Sequence, residues 1–584
     1  MKLQVFCYRI GIENLLKWEK ILKRKWEVKE SDKILVEKIS KEFNIGRLIA
    51  SILASRGLKE KEEIEVFLSP KRNNFHDPYK MPDMEKAVER IIKAINAKEK
   101  TIIYGDYDVD GITSSTLLKK FFKEIDFNVD IYIPNRLDEG YGLNAGAIDY
   151  IKNKDYTLII TVDCGITGNL EVELAKEKGI DVIITDHHEP GKELPNAIAV
   201  VDLKREDSKY PFRELAGVGV AFKLAQAISM KLNLPEETYL KYLDLAAIGT
   251  ISDIVSLKDE NRTISKLGLM LIKQTRNLGL KILLEKAGIK EIDSSLVSFG
   301  IAPRINACGR MGHEEDALNL MLSEDIIEAR KLAEKISFYN NKRQEIEKEM
   351  FEDAIKQIEE KNLKEDNIIV VSKKDWHHGV MGIVSSKITD IYNKPSILIS
   401  IDDEMSKGSG RSIQGFDLHK ALSQIENTIE QFGGHSMAIG LSVKKENIED
   451  LRISINEYAK KMHIEEIEPI IEIEDVLNLK DIKIDDVKEL TLLEPYGESN
   501  KMPIFEINNL KIDSKRSVSE GKHLKLVLKD DNNNQLDVIG FNKGNLIDDY
   551  IIGDRVDVVG NLEINNFRDM ETMQINLKDI RKRV

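Results

Sequence analysis

Residues 101–111 read TIIYGDYDVDG: an apolar run from Thr101 to Tyr104 breaks at Gly105 into alternating carboxylates, Asp106, Asp108 and Asp110, and closes on Gly111. A strand-length run that ends in acidic residues and a glycine, just ahead of a helical stretch, marks the carboxyl edge of a parallel sheet, where open α/β sheets place their sites. Other runs repeat the pattern. Leu158 to Val162 leads to Asp163, Val182 to Thr185 leads to Asp186, His187 and His188, and an apolar stretch with Gly249 leads to Asp253 in GTISDIVSL. Together with Val129 to Ile133 and Ala197 to Val201, and with helical segments between, these runs predict an α/β domain with a parallel sheet.

Working outward, 584 residues exceed the usual single core, so three or four units are expected. A helical lead-in is assigned to 1–80, with apolar positions such as Ile49, Ile52, Leu53 and Leu58, and the first α/β domain to 81–322. Ser323 to Asn362 holds no Gly or Pro, and apolar residues recur at Leu332, Ile336, Ile346, Met350 and Ile358. That pattern predicts a long charged connector, a helix or helix pair, over 323–362. A second α/β domain follows over 363–460, with strand-like Ile368 to Val371 and Ile397 to Ile399 and glycine-rich turns expected at Gly408 and Gly433. Over 461–584 a linker gives way to short strands, Leu524 to Leu528, Leu536 to Phe541, Arg555 to Val559 and Met573 to Leu577, which predict an OB-like β-barrel.

The opening segment, with Lys2, Arg9, Glu13 and Lys17, develops no apolar core of signal-peptide length, and no later apolar run reaches spanning length. Three scattered cysteines, Cys7, Cys164 and Cys308, suit a reducing compartment and offer no ligand spacing, so a cytoplasmic location is expected. The net charge of −14 argues at first against a nucleic-acid partner. Yet a metal site concentrates Asp and Glu, and bound cations reverse its local sign, so local charge decides.

Each acidic point taken singly has a plain structural alternative, since an isolated Asp after a strand is usually a turn or cap residue and a His pair is often a satisfied polar contact. A calcium loop starting at Asp106 is excluded, because Leu117 stands where such a loop needs its glutamate. The cluster as a whole is the signal. Oxygen-rich ligands with one or two imidazoles suit Mn²⁺ or Mg²⁺, and a pair of such ions implies hydrolysis of a phosphate ester. Arg304, Asn306 and Arg310 of PRINACGRMG combine two cations with an amide, which suits a scissile phosphate; a cap or interdomain salt bridge is the alternative. Gly408 to Ser412, GSGRS, offers amides, hydroxyls and a guanidinium for a phosphate, or forms an ordinary polar turn. Gly217, Gly219 and Ala221 make no dinucleotide fingerprint, because they follow no clear strand and Phe222 stands at the third glycine position. Phe541 and Phe567 in the barrel can stack on bases, but aromatic residues in strands are more often core.

YGDYDVDG, TVDCG, TDHH and GTISD, in this order, resemble the four motifs of the DHH phosphoesterase superfamily. IPNR followed by EGYGLN, then AGVGVAFKLA, APRINACGRMG, WHHGVMGIVSSK, KGSGRS and FGGH, resembles the RecJ single-strand-specific exonucleases, with their DHHA1 domain, from about Leu48 to the OB-like end. The resemblance implies two α/β lobes, DHH and DHHA1, joined by the helical connector and followed by the OB-like barrel. It implies two ions held by Asp106, Asp108, Asp110, Asp163, His187 and Asp253, with Asp163 between them. Asp163, His188 and Arg304 are the expected catalytic residues; His188 donates to the leaving oxygen, or orients a ligand. Ser409 and Arg411, with Arg136, are expected to hold a terminal 5′ phosphate and set 5′ to 3′ polarity, and His435 to serve the nucleotide path. The implied substrate is single-stranded DNA threading a narrow channel, the product mononucleotides, the context DNA repair and recombination, and the partners a single-strand-binding protein and a helicase. The segment EPYGESNKMPIF departs from the family pattern, with Glu498 and Lys501 where a glycine and a proline are common. A phosphodiesterase of short oligonucleotides or cyclic dinucleotides, and a catalytically silent scaffold, are the rival readings.

Overall fold

The computed structural model describes residues 24–289, 291–567 and 570–583. The opening segment with Cys7, and the side chain of Phe567, lie outside the described residues. The chain divides into two compact units. One is Glu60–Arg343 with Leu492–Lys501, and the other comprises the remaining described residues; the boundary at Arg343 falls inside one helix, Ile326–Glu360.

The first unit is built on β1 (Thr101–Gly105), β2 (Val129–Tyr132), β3 (Leu158–Val162), β4 (Asp181–Asp186) and β5 (Ala199–Asp202), all parallel in the order β2-β1-β3-β4-β5. β1 and β3 are buried at every position because helices cover both faces, which explains their continuous apolar runs. The chain leaves β1 toward β2 on one side and returns to β3 on the other. The crevice beyond the carboxyl ends of β1 and β3 is therefore a topological switch point. Helices α1 (Val109–Glu124), α2 (Gly217–Lys231) and α3 (Leu243–Ser252) pack together beside it, and α3 is buried from Leu243 to Ile251.

Leu492–Lys501, which contains the two departures from the family pattern at Glu498 and Lys501, packs on this unit through its backbone. Leu257 N donates to Glu498 O at 2.9 Å, and the buried Arg262 guanidinium donates to the carbonyls of Leu493 and Glu494, each at 3.1 Å. A carbonyl belongs to any residue, so the contact made here by Glu498 does not depend on its side chain.

In the second unit, β6 (Ile369–Lys374), β7 (Ser396–Ile401), β8 (Ser406–Arg411), β9 (Gln431–His435) and β10 (Ala438–Val443) form one mixed sheet in the order β9-β10-β8-β7-β6. Gly408 and Gly433 were expected in turns; both lie inside strands instead. At Gly408 the reason is close packing, whereas a Cβ on Gly433 would meet nothing within 4 Å. A Cβ on Gly408 would sit 3.0 Å from Leu441, and one on Gly410 would sit 2.8 Å from Ile439. Glycine is selected there by proximity, not by turn geometry.

The carboxy-terminal strands β11 (Phe505–Val518), β12 (His523–Lys529), β13 (Gln535–Gly540), β14 (Arg555–Phe567) and β15 (Met570–Lys582) run in the order β11-β12-β13-β15-β14, and pairing of β11 with β14 closes them into an OB-type barrel. Lys25–Val28 pairs in parallel with Ile470–Ile473, and Arg56 holds Glu474 at 2.8 Å, so the first described residues belong with the carboxy-terminal part of the chain. No described helix is long and apolar enough to cross a membrane.

Candidate metal centre

Local chain geometry aims the carboxylates. Asp106 leaves β1, and Asp108 caps α1, its Oδ1 accepting from Asp110 N at 2.8 Å and Gly111 N at 3.1 Å. Asp110 therefore sits in the first helical turn rather than in a loop. Gly111 is required, because a Cβ there would stand 2.3 Å from the Asp106 carbonyl oxygen. Asp163 follows β3 with φ 60°, a left-handed conformation that Asp tolerates better than bulkier residues and that turns its side chain off the strand axis. Asp186 ends β4, with His187 and His188 next to it, and Asp253 caps the carboxyl end of α3.

These groups converge. Ligand atoms of Asp106, Asp108 and Asp163 lie within 4.8 Å of one another, as do those of Asp110, His187 and Asp253, and those of Asp163, His187 and His188. His187 Nε2 stands 3.0 Å from Asp163 Oδ1, 3.7 Å from Asp253 Oδ2 and 3.9 Å from Asp110 Oδ2. Despite the short distance, His187 Nε2 and Asp163 Oδ1 make no hydrogen bond, and Asp106 Oδ1 has no partner either.

Asp106, Asp110 and Asp163 are 4%, 1% and 2% exposed, and among the described residues no Lys or Arg pairs with any of the clustered carboxylates. Burial, and then the charge of neighbouring carboxylates, pushes all three well above the usual carboxylate range, and Asp253 up to about 7. Burial, and then the charge of His188, pushes His187 down to about 3, so its ring is neutral with a lone pair available. Buried carboxylates without a countercharge, a neutral imidazole and three orphaned ligand atoms are what a pair of hard divalent cations satisfies. The residues fit such ions.

Neighbouring residues hold the ligands. Asp110 accepts from Gly217 N at 2.6 Å and Val218 N at 2.8 Å, so the amino end of α2 faces a carboxylate. The glycines rejected as a dinucleotide fingerprint thus have a different use: a Cβ on Gly217 would sit 2.7 Å from Asp163 Cβ and Oδ1. Asp186 is fully buried and accepts from Ile166 N at 2.9 Å and His187 N at 2.7 Å, with His188 Nδ1 at 2.7 Å. Tyr141 OH lies 3.0 Å from the same Nδ1 and donates to Asp163 O at 3.2 Å. Tyr141 and Gly217 carry no sequence signal beyond the motifs that contain them; Asp186 lies within TDHH, but its orienting role appears only in three dimensions.

Of the expected substrate residues in this unit, Arg136 lies over the Tyr107 ring, 4.7 Å from its centroid. Asn306 Oδ1 accepts from Val109 N at 3.2 Å, tying helix Ala302–Arg310 to the start of α1. Arg304 donates to Gly300 O in its own turn, and Arg310 ends the helix. In the other unit, Arg411 donates to Gly410 O at 2.8 Å and lies beside the amino-terminal part of helix His378–Tyr392, where a Cβ on Gly382 would stand 2.8 Å from its Nη2. Ser409 is on the same strand, and His435 is exposed at the end of β9.

Comparison with known proteins agrees with the geometry. Residues 100–250 match the DHH family, N-terminal domain; 365–461 match the DHHA1 domain; 473–579 match the RecJ OB domain. The chain is 42% identical over 563 residues to the single-stranded-DNA-specific exonuclease RecJ of Bacillus subtilis, covering 95% of this chain and 71% of that protein. It is 32% identical over 534 residues to the same-named protein of Thermus thermophilus, covering 90% and 74% of the two chains. The crystal structure of Thermus thermophilus RecJ in complex with Mn²⁺ is similar with a TM-score of 0.83 and 30% identity, covering 96% of this chain and 80% of that one; the complex with Mg²⁺ gives 0.76 and 27%. A switch-point cluster of buried carboxylates and histidines, the domain order DHH, DHHA1 and OB, and identity across nearly the whole length place this chain in the RecJ family of single-stranded-DNA-specific exonucleases.

Proposed function

We propose that this chain digests single-stranded DNA from its 5′ end to mononucleotides, with two Mn²⁺ or Mg²⁺ ions held by Asp106, Asp108, Asp110, Asp163, His187 and Asp253. The observation that carries the reading is the convergence of those side chains, with orphaned buried ligand atoms, at the switch point of one parallel sheet. When bound, such ions activate water and stabilise the charge that develops on the scissile phosphate.

The protein's own groups do the rest. Asp163 belongs to two of the ligand sets and would help hold both ions. Burial opposes a charged His188, yet the hydrogen bond and charge of Asp186 outweigh it and hold the imidazole above its ordinary pKa. His188 is the proposed proton donor to the leaving oxygen, with Asp186 and Tyr141 fixing the ring from Nδ1. Arg304, Asn306 and Arg310 meet the scissile phosphate or its neighbour. Arg136 in one unit, and Ser409 and Arg411 in the other, are each assigned to phosphate contact with the 5′ end of the strand, and His435 to the nucleotide path. The barrel supplies sequence-tolerant capture of the strand.

In this reading residues 81–322 form the catalytic domain, 323–362 the connector, 363–460 the DHHA1 domain and 461–584 the linker and barrel. The enzyme works in the cytoplasm, in DNA repair and recombination, alongside a single-strand-binding protein and a helicase. An assay on end-labelled single- and double-stranded DNA, with and without a 5′ phosphate and with each metal, tests the proposal. Release of mononucleotides from the 5′ end of the single strand only, abolished by Asp163→Ala in a folded protein, is expected. Cleavage of dinucleotides with no activity on a long strand would move the assignment to a short-oligonucleotide phosphodiesterase.

A further inference from the structure

A second concave site lies in the first unit, with none of the candidate metal ligands in its lining: a cleft of about 930 Å³ between β2, the loop after it, and the residues that open helix Glu314–Leu322. Its volume is that of a small-molecule site. Its chemistry is unusual for a DNA enzyme, because the lining is acidic and aromatic. Glu139, Glu314, Glu315 and Asp316 contribute carboxylates, and Tyr132, Tyr150 and Tyr339 contribute rings.

Among the described residues, Asp316 alone of these carboxylates has a cationic partner. Asp316 is met by Lys335 at 3.1 Å and by Tyr339 OH at 2.9 Å. Glu139 accepts only from neutral donors, Tyr132 OH at 2.8 Å, Asn135 N at 2.8 Å and Asn144 Nδ2 at 2.9 Å. Glu314 is 5% exposed; its Oε1 accepts from Asn135 Nδ2 at 3.0 Å, but its Oε2 has no partner. Among the described residues, none of Glu139, Glu314 and Glu315 forms an ion pair. The amino end of the helix favours acids in its first turn, but it does not satisfy a buried carboxylate oxygen.

We propose that this cleft binds an extended alkyl di- or polyammonium ion, with ammonium groups against Glu314 and Glu315 and methylenes against the tyrosine rings. Uncompensated carboxylates attract the charges, aromatic faces add cation–π attraction, and the apolar Ile131, Ile133 and Leu318 accommodate the alkyl segments. An inorganic ion fits less well, since among the described residues no three of these carboxylates bring ligand atoms within 4.8 Å of one another. A DNA strand is repelled by the same charges, so the ligand is not the substrate, and the inference stands apart from the nuclease reading. Asn135 and Glu139 also belong to the loop that carries Arg136, so an occupant presses on the segment assigned to the phosphate.

Calorimetric titration of the full chain with spermidine, in the presence of Mg²⁺ to occupy the metal centre, tests the proposal. One saturable site is expected, weakened at least tenfold by Glu314→Gln/Glu315→Gln and unchanged by Glu446→Gln, an exposed acid elsewhere that controls for diffuse attraction to a chain of net charge −14. Circular dichroism reports folding; should the double variant unfold, the exposed Glu315→Gln alone carries the test, with a threefold or greater loss expected. Absence of a saturable site, or wild-type affinity in the folded Glu315→Gln variants, overturns the proposal.

Discussion

His188 Nδ1 and Asp186 Oδ1 lie 2.7 Å apart, and the carboxylate that makes this contact is fully buried. Burial alone would raise the Asp186 pKa, but the hydrogen bond and charge of His188, with backbone donors, bring it below the usual value. The pair is thus a fixed carboxylate orienting an imidazole beside the ligand cluster. Asp186→Asn is expected to lower kcat by about 10- to 100-fold, the usual cost of losing such an orienting partner. Mn²⁺ affinity, measured by calorimetry, should change much less; an equal loss of both would make Asp186 a determinant of metal binding instead.

Gly217→Ala places a methyl group 2.7 Å from Asp163 Cβ and Oδ1, and the amides that hold Asp110 begin at the same residue. Either α2 or Asp163 must shift. We expect a destabilisation of about 1–3 kcal/mol from the overlap, and a much larger fractional loss of nuclease activity. Gly219→Ala, two residues further along the helix, meets Leu215 Cβ at 3.2 Å and should retain most activity. Comparing the two variants in thermal unfolding and turnover separates the ligand effect from general packing.

Chelation is expected to lower the unfolding midpoint as well as abolish activity, because removing the ions leaves buried carboxylates repelling one another. Mn²⁺ at a hundred times its Kd stabilises the folded state by about 2.7 kcal/mol. Asp163→Ala should lose this increment, yet in the absence of metal it should be at least as stable as the wild type, since the cost of burying one of the clustered carboxyl groups has gone. Scanning calorimetry with and without Mn²⁺ checks both signs; a metal-free Asp163→Ala protein less stable than the metal-free wild type would contradict the account.

Lys223 and Glu260 form a fully buried ion pair at 2.9 Å, and Glu260 also accepts from His76 N at 2.8 Å and from Tyr210 OH. Lys223 lies on α2, so the pair anchors the helix whose amino end holds Asp110. Lys223→Met should cost about 3–5 kcal/mol by leaving Glu260 uncompensated, whereas Lys223→Met/Glu260→Gln should recover part of that loss. Denaturant unfolding of the single and double variants measures the coupling.

What the chain encodes locally is legible without coordinates: strand-length apolar runs ending in Asp or His, helical spacing between them, and a late series of short alternating strands. Those patterns specify a parallel sheet, a catalytic edge and a carboxy-terminal barrel, because burial on two faces or one leaves a periodic mark in sequence. The chemistry of the candidate ligands is local too, since Asp and His next to strand ends are visible as residue types. Relations between distant segments left no such mark. That Lys25–Val28 pairs with Ile470–Ile473, that Gly217 makes room for Asp163, that Asn306 ties a helix to Val109 N, and that Gly408 belongs to a strand were decided by packing across the chain. A close approach is a property of two surfaces, and neither sequence segment carries it alone.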